Sequence, residues 1–325
     1  MEQKVKEIQS EKFRNDILYG LMRFPKSLPS KYFYDKKGDK LFQQIMAMPS
    51  YYLTDCEFEI LKTHTEEIAT YLFNSKDPYD LIELGAGDGK KTKILLRYLI
   101  AKQQNFVYKP IDISQNALAS LASDLANILP YLKVDCQVGM YFDVLDKLHR
   151  QSDRKKVIIV LGSNIGNLNH EEAVDFLKKI ADAMTQEDRL FMGFDQKKHP
   201  QTILDAYNDP TGITAAFNKN ILARINRELD ATFDLTKFKH WQTYNPETGT
   251  AKSYLVATES MKVYIKALDK EIDFEAWESI HTEISQKYDD AAVAWLAKQA
   301  GLEILHCFTD ARNYYKNYVF KSILD

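Results

Sequence analysis

Residues 81–92 read LIELGAGDGKKT. A short apolar run enters a turn holding Gly85, Gly87 and Gly89, and KKTKILLRYLIAKQQ behind it has helical spacing of apolar residues. Strand, glycine turn and helix, in that order, bring main chain close to a ligand at the carboxyl end of a strand in an α/β sheet. The same cluster is compatible with a plain tight βα turn, so the flanking segments have to decide.

Those segments repeat the rhythm. FVYKPIDIS (106–114), LKVDCQVG (132–139), KKVIIVLGS (155–163) and DRLFMGFD (188–195) read as strands, with NALASLASDLANIL and EEAVDFLKKIADAM as helices among them. Compact apolar strands alternating with helices predict a doubly wound, mostly parallel sheet. The rhythm then breaks. Residues 196–245 read as mostly helical, with two helices around a Pro-Gly turn in ILDAYNDPTGITAAFNKNILARINREL, and AKSYLVATESMKVYIKA (251–267) as an antiparallel strand or pair. Near the end, DDAAVAWLAKQAG is a helix closed by Gly301, followed by the strands LEILHCFTD and YYKNYVFKSIL. The expected fold is a Rossmann-like seven-stranded sheet with a terminal antiparallel hairpin, plus a second, mixed α/β lobe. Residues 1–75 read as helices broken by turns at Pro25, Pro29 and Pro49. Residues 76–195 and 280–325 are assigned to the ligand-binding core, and 1–75 with 196–279 to a substrate-binding cover lobe.

Composition narrows the function classes. The chain has 325 residues, long enough to bury a core without disulfides. Its 43 basic and 46 acidic residues leave a net charge of −3 with mixed signs, so no basic face points to nucleic acid. KVKEIQSEKFRND at the start and QSDRKK (151–156) read as solvated surface. The 19 Tyr and 17 Phe mostly suit a core, with some left for a pocket of flat, partly polar side chains. Cys56, Cys136 and Cys307 are far apart and outside any C-x-x-C pattern, and the seven histidines form no cluster, so no metal is expected. Neither a signal peptide nor a long apolar run is visible, and a cytoplasmic protein with reduced thiols and no membrane span is expected. The oligomeric state is left open, with a monomer the simpler expectation.

Asp112 ends the second strand, 23 residues beyond Gly89, where its carboxylate could accept bonds from both ribose hydroxyls of a nucleoside. That suits NAD or S-adenosylmethionine (SAM). Three features favour SAM: Glu83 inside the first strand, Lys90 and Lys91 after the turn, and the reversed terminal hairpin. A lysine here could pair with a methionine carboxylate; the alternative is an exposed lysine that opposes the helix dipole. LGSNIGNLN (161–169) ends the most apolar strand and offers Ser163, Asn164 and Asn167 to polar groups at the crevice. Alternatively, Asn164 and Asn167 cap a turn and the helix after it.

Taken together, KSLPSKYFYDKKG, MPSYYLTDCE, ELGAGDGKKT, GSNIGNL, YNDPTGITAAFNKNIL with RINREL, and HTEISQKY resemble the histidine N-alpha-methyltransferase family. That family forms N-alpha-trimethylhistidine (hercynine) on the ergothioneine pathway, and fungal relatives methylate a prenylated tryptophan. The similarity runs through roughly residues 25–320. It implies a class I SAM-dependent methyltransferase acting on the α-amine of a small amino acid, histidine or a related aromatic one, with no metal. It implies a SAM site from the turn of Gly85, Gly87 and Gly89, with Lys91 near the methionyl carboxylate and Asp112 on the ribose; Glu83, Met140, Tyr141 and Ser163, by their positions at the same strand ends, complete the expected cofactor site. Asn167 and Tyr207 are implied to hold the substrate carboxylate, with Tyr51 beside the amine; these three carry the catalytic assignment. Tyr34, Ser253, Glu283 and Ser285 are implied to face the substrate side chain.

The residues agree in part. Glu283 and Ser285, two apart, share a face of any extended segment, and a buried Glu accepts an imidazole N–H. The plain alternative is a surface Glu beside a hydroxyl. Two departures bear on substrate and cofactor. Gly139-Met140-Tyr141 stands where bacterial histidine enzymes have Gly-Asp-Phe, leaving adenine to backbone or Asp143, and Ser253 stands where they place a methionine. Three other readings stay open: a methyltransferase for another amine or a prenylated indole, a non-catalytic SAM-binding protein, and an NAD-dependent oxidoreductase, for which no Tyr-x-x-x-Lys is evident.

Overall fold

The N-terminal prolines and turns divide the first quarter of the chain as its sequence suggests. In a computed structural model describing residues 2–323, helices α1 (Glu2–Met22), α2 (Lys36–Met46), α3 (Tyr52–Thr63) and α4 (Thr65–Leu72) come first. Asp35 caps α2, its carboxylate accepting from the backbone of Lys37 and Gly38 at 3.0 and 2.8 Å. Next come β1 (Tyr79–Leu84), α5 (Thr92–Ala101), β2 (Phe106–Asp112), α6 (Gln115–Ile128), β3 (Gln137–Val138), α7 (Tyr141–Gln151), β4 (Lys155–Val160), α8 (His170–Asp182) and β5 (Arg189–Asp195). The chain continues through α9 (Pro200–Tyr207), α10 (Ile213–Leu229), β6 (Phe238–Asn245), β7 (Thr250–Ala257), β8 (Met261–Ile265), β9 (Lys270–Phe274) and β10 (Ser279–Gln286). It closes with α11 (Asp290–Gln299), β11 (Leu302–Thr309) and β12 (Tyr315–Ser322).

Two units emerge, residues 53–197 with 286–325, and residues 1–52 with 198–285. Residues 53–75, 196–197 and 280–285 thus lie across the split from the division expected above.

The first unit contains the seven-stranded sheet in the order β11-β12-β5-β4-β1-β2-β3. Strand β1 runs parallel to β2 and β4 on either side, and β12 is antiparallel to both β5 and β11. This is the doubly wound sheet with a reversed terminal hairpin that the repeating pattern predicts. All six residues of β1 are buried, and Leu84, Ile158, Val160 and Met192 share a core with Leu177 of α8 and Leu296 of α11. One expectation shrinks: LKVDCQVG supplies only the two residues of β3, with Val134 bridging singly to Tyr108. Its polar, half-exposed residues lie at the sheet edge, where short strands limit unwanted pairing.

In the second unit, β10-β7-β6 form a three-stranded sheet and β8-β9 a two-stranded one. Helix α10 places Phe217, Ile221, Leu222 and Ile225 in a core with Phe238, Leu255 and Phe274. The largely helical reading of 196–245 is corrected at its end, where Phe238–Asn245 is a strand. Phe238, His240, Gln242 and Tyr244 are turned inward while Lys239, Trp241, Thr243 and Asn245 are exposed, a period of two that no helix accommodates. The hairpin to β7 is closed by Gly249 N–H donating to the Asn245 carbonyl at 2.8 Å.

Candidate active site

At the carboxyl end of the parallel strands, the glycine turn has left-handed backbone at each of its three glycines. Gly85 has φ +75° and Gly87 φ +55°. A Cβ on Gly85 would stand 2.7 Å from the Tyr141 hydroxyl, whereas one on Gly87 would meet nothing within 4 Å. The turn is therefore closed on the Tyr141 side and open at Gly87, where backbone can face a ligand. Gly89 completes the turn, and its N–H donates to the Ala86 carbonyl at 3.0 Å.

Glu83 is buried at the end of β1, accepting the Thr92 hydroxyl at 2.6 Å and the Tyr108 hydroxyl. Burial pushes its carboxyl up to about 7, against the opposing pull of both hydroxyls and Lys91. Asp112 is half-buried at the end of β2 and accepts the Ser114 N–H at 2.8 Å. Tyr141 opens α7, its phenol pushed up by burial and by the charges of Asp112 and Glu83. Met140, the residue before it, is 61% exposed.

The segment after β4 is held tightly. Ser163 adopts φ +56°, uncommon for a residue with a Cβ, and its Oγ accepts the Asp195 N–H at 3.0 Å. Lys287 and Asp195 form a buried pair 2.7 Å apart close by in the chain fold, since Tyr288 N–H donates to the Asp195 carbonyl. Asn164 and Asn167 bound a short 3-10 turn and are both exposed. The cap of α8 belongs to Asn169 instead, which forms a reciprocal box with Glu172, each bond 2.9 Å. The capping alternative for Asn164 and Asn167 thus loses its helix.

In the other unit a polar cluster is ringed by aromatics. Tyr207, at the end of α9, shares a 2.7 Å hydrogen bond with Ser285 of β10. Ser253 of β7 donates to Gln242 Oε1 at 2.8 Å and lies 3.4 Å from Glu283 Oε2. The Tyr34 phenol is pushed up by burial and then by the charges of Glu283 and Tyr207, although the residue as a whole remains 40% exposed. Tyr51 packs edge-on to Tyr207 at 6.2 Å, and Phe42 lies within 6.3 Å of both Tyr51 and Tyr34. Tyr34, Tyr51, Tyr207, Ser253, Glu283 and Ser285 are therefore brought together by this unit alone.

The motif YNDPTG has a local reason. Asp209 accepts the Thr214 N–H at 2.7 Å and the Ile213 N–H at 3.1 Å, capping α10 just behind Tyr207. These bonds and the Thr211 hydroxyl hold its carboxyl well below the usual range despite partial burial. His240, whose pKa burial lowers, bridges the Asn218 side chain and the Tyr207 carbonyl, each at 2.8 Å.

A family model described as histidine-specific methyltransferase, SAM-dependent, matches residues 13–322. The chain belongs to this family. It is 36% identical over 301 residues to the histidine N-alpha-methyltransferase of Mycolicibacterium smegmatis, covering 93% of this chain and 92% of that one. The enzyme of the same name from Mycobacterium tuberculosis is 35% identical, with 91% of each chain covered. Ergothioneine biosynthesis protein 1 of Neurospora crassa is 30% identical over 92% of this chain and 33% of that longer one.

This is a SAM-dependent methyltransferase of class I fold. The residues fit that cofactor: backbone open at Gly87, a carboxylate at the end of β2, and an ammonium at the start of α5. No group of three His, Cys, Asp or Glu suited to a metal occurs among the described residues, and no described helix is long and apolar enough to cross a membrane.

Sequence reasoning missed several residues of this methyltransferase. Gln242 and His240 were hidden in a segment read as helix. Glu57, fully buried on α3, had a visible signal: Leu53, Cys56, Ile60 and Leu61 mark the apolar stripe of the helix, and a carboxylate stands on it.

Proposed function

We propose that this methyltransferase transfers the SAM methyl group to the α-amine of L-histidine. The observation that carries the reading is the pair Glu283 and Ser285 on one face of β10, beside Tyr207 and Tyr34, in a chain of this family. A carboxylate and a hydroxyl two residues apart match the two nitrogens of an imidazole, one as acceptor of an N–H and one as donor. Tyr207 is assigned to the substrate carboxylate and Tyr51 to the amine. Lys91 and Asp112 are assigned to the methionyl and ribose parts of SAM, and the Gly85–Gly89 turn, Glu83, Tyr141 and Ser163 form the surrounding wall. Backbone near Met140 is assigned to the adenine.

SAM supplies an electrophilic methyl carbon on a sulfonium. The reaction needs a nitrogen lone pair, so the amine must bind neutral, its proton passing to solvent. The N–C bond then forms as the S–C bond breaks, with the bonding pair left on sulfur. Tyr51 orients the nitrogen, and the rate comes chiefly from alignment and fixed charges. His240 fixes the Tyr207 backbone from behind, so the phenol is presented at a defined height above β10.

Incubation with SAM and each free amino acid in turn, followed by mass measurement of the products, tests this. Histidine should gain methyl groups on its α-nitrogen ahead of tryptophan, prenylated tryptophan and simple amines. Preference for a prenylated indole would instead identify the space beside Ser253 as an indole pocket.

A further inference from the structure

We infer that Glu57 is a positioning residue of the cofactor site, holding the Lys91 ammonium where the carboxylate end of SAM must be met; this rests on the assignment of Lys91 above. Glu57 has no exposed side-chain surface. Its Oε2 accepts from Lys91 Nζ and from the Gly162 N–H at 2.8 Å. Its Oε1 accepts the Tyr315 hydroxyl at 3.1 Å and the Asn317 amide at 2.9 Å. One carboxylate thereby ties together α3, the start of α5, the turn after β4 and β12.

A carboxylate accepts about four hydrogen bonds, two at each oxygen, and all four places are taken. Glu57 has no capacity left for a substrate and acts only through what it holds. Three of its four donors, the Gly162 N–H, the Tyr315 hydroxyl and the Asn317 amide, are neutral. The negative charge, costly to bury, is required by Lys91 alone. Lys91 needs such a partner because a cation at the start of a helix opposes the dipole. An ammonium has three N–H donors, so the bond to Glu57 leaves others for a ligand carboxylate. The Lys91 nitrogen stands 3.7 Å from where a Cβ on Gly162 would lie, against the left-handed backbone that follows β4. Room for the carboxylate is kept by Gly193, where a Cβ would come within 2.4 Å of Glu57 Oε1.

The test compares two ligands by calorimetry on the full chain. S-adenosylhomocysteine has the amino-acid carboxylate; methylthioadenosine keeps the adenosine and sulfur but lacks it. Glu57→Gln should weaken S-adenosylhomocysteine by about tenfold or more and methylthioadenosine by no more than about twofold. Lys91→Met should discriminate in the same way, and the double variant should lose little beyond Lys91→Met alone. Equal weakening of both ligands by Glu57→Gln would show a merely structural tie and overturn the inference. If Lys91→Met discriminates and Glu57→Gln does not, the inference falls while the role of Lys91 stands. If Lys91→Met does not discriminate, that assignment falls first and takes the inference with it. Should Glu57→Gln fail to fold, Glu57→Asp keeps the charge but withdraws it by one methylene, and the same selective loss is expected; an equal loss for both ligands overturns the inference.

Discussion

Glu283→Gln separates recognition of an imidazole from general binding of an amino acid. The carboxylate lies on β10, 3.4 Å from the Ser253 hydroxyl, which already donates to Gln242 at 2.8 Å. Gln has the same shape and keeps one oxygen acceptor, so the fold and an ordinary hydrogen bond to a ring N–H survive. What disappears is the charge. Hydrogen bonds to charged groups contribute about 1.5–3 kcal/mol and neutral ones about 0.5–1.5, so the loss is roughly 1–1.5 kcal/mol. That corresponds to about a 5- to 13-fold fall in kcat/KM for histidine. Steady-state kinetics with histidine and with an amino acid lacking the imidazole, together with calorimetry of S-adenosylhomocysteine, provide the readout. Histidine should suffer alone, with cofactor affinity unchanged. An equal fall for the second amino acid, or no fall for histidine, would refute the role given to Glu283.

Tyr207→Phe removes the hydroxyl bonded to Ser285 and should raise the Kd for histidine while leaving that for S-adenosylhomocysteine within about twofold; equal weakening would reject its assignment to the substrate. Glu83 predicts a pH dependence of stability. Its folded pKa of about 7 lies above the ordinary 4.5, so its stabilising contribution is complete below about pH 4.5 and is lost as pH rises through about 7. Glu83→Gln should therefore gain about 3 kcal/mol relative to the parent between about pH 4 and pH 8, and parallel denaturation curves would contradict the shift. Gly38→Ala places a Cβ 1.8 Å from the Phe33 carbonyl oxygen, a backbone atom that cannot rotate away. Chemical denaturation should show a loss of about 1–3 kcal/mol, and an unchanged midpoint would mean the Ser30–Phe33 turn yields freely.

Much of the sheet was legible because parallel strands buried on both faces must be almost wholly apolar, as YDLIEL, KKVIIV and RLFMGFD nearly are. The strand at 238–245 was not, because FKHWQTYN has polar groups on its inward face. His240 and Gln242 are turned inward to hydrogen-bond the Tyr207 carbonyl and the Ser253 hydroxyl, so polar partners mask the hydrophobic alternation that marks a strand. Asn164 and Asn169 illustrate the same limit at a helix start: three amides lie within six residues, and only the backbone path selects Asn169 as the cap.

By itself the sequence determined the doubly wound sheet, the glycine turn ahead of α5 and the kinship of the chain, since each is written in local periodicity or contiguous motifs. The tertiary structure alone decided which side chains each carboxylate meets. Glu57 and Lys91 are 34 residues apart, and Gln242, Ser253 and Glu283 come from three strands. A buried charge is tolerated only where donors converge on it in space, and sequence spacing does not encode that convergence.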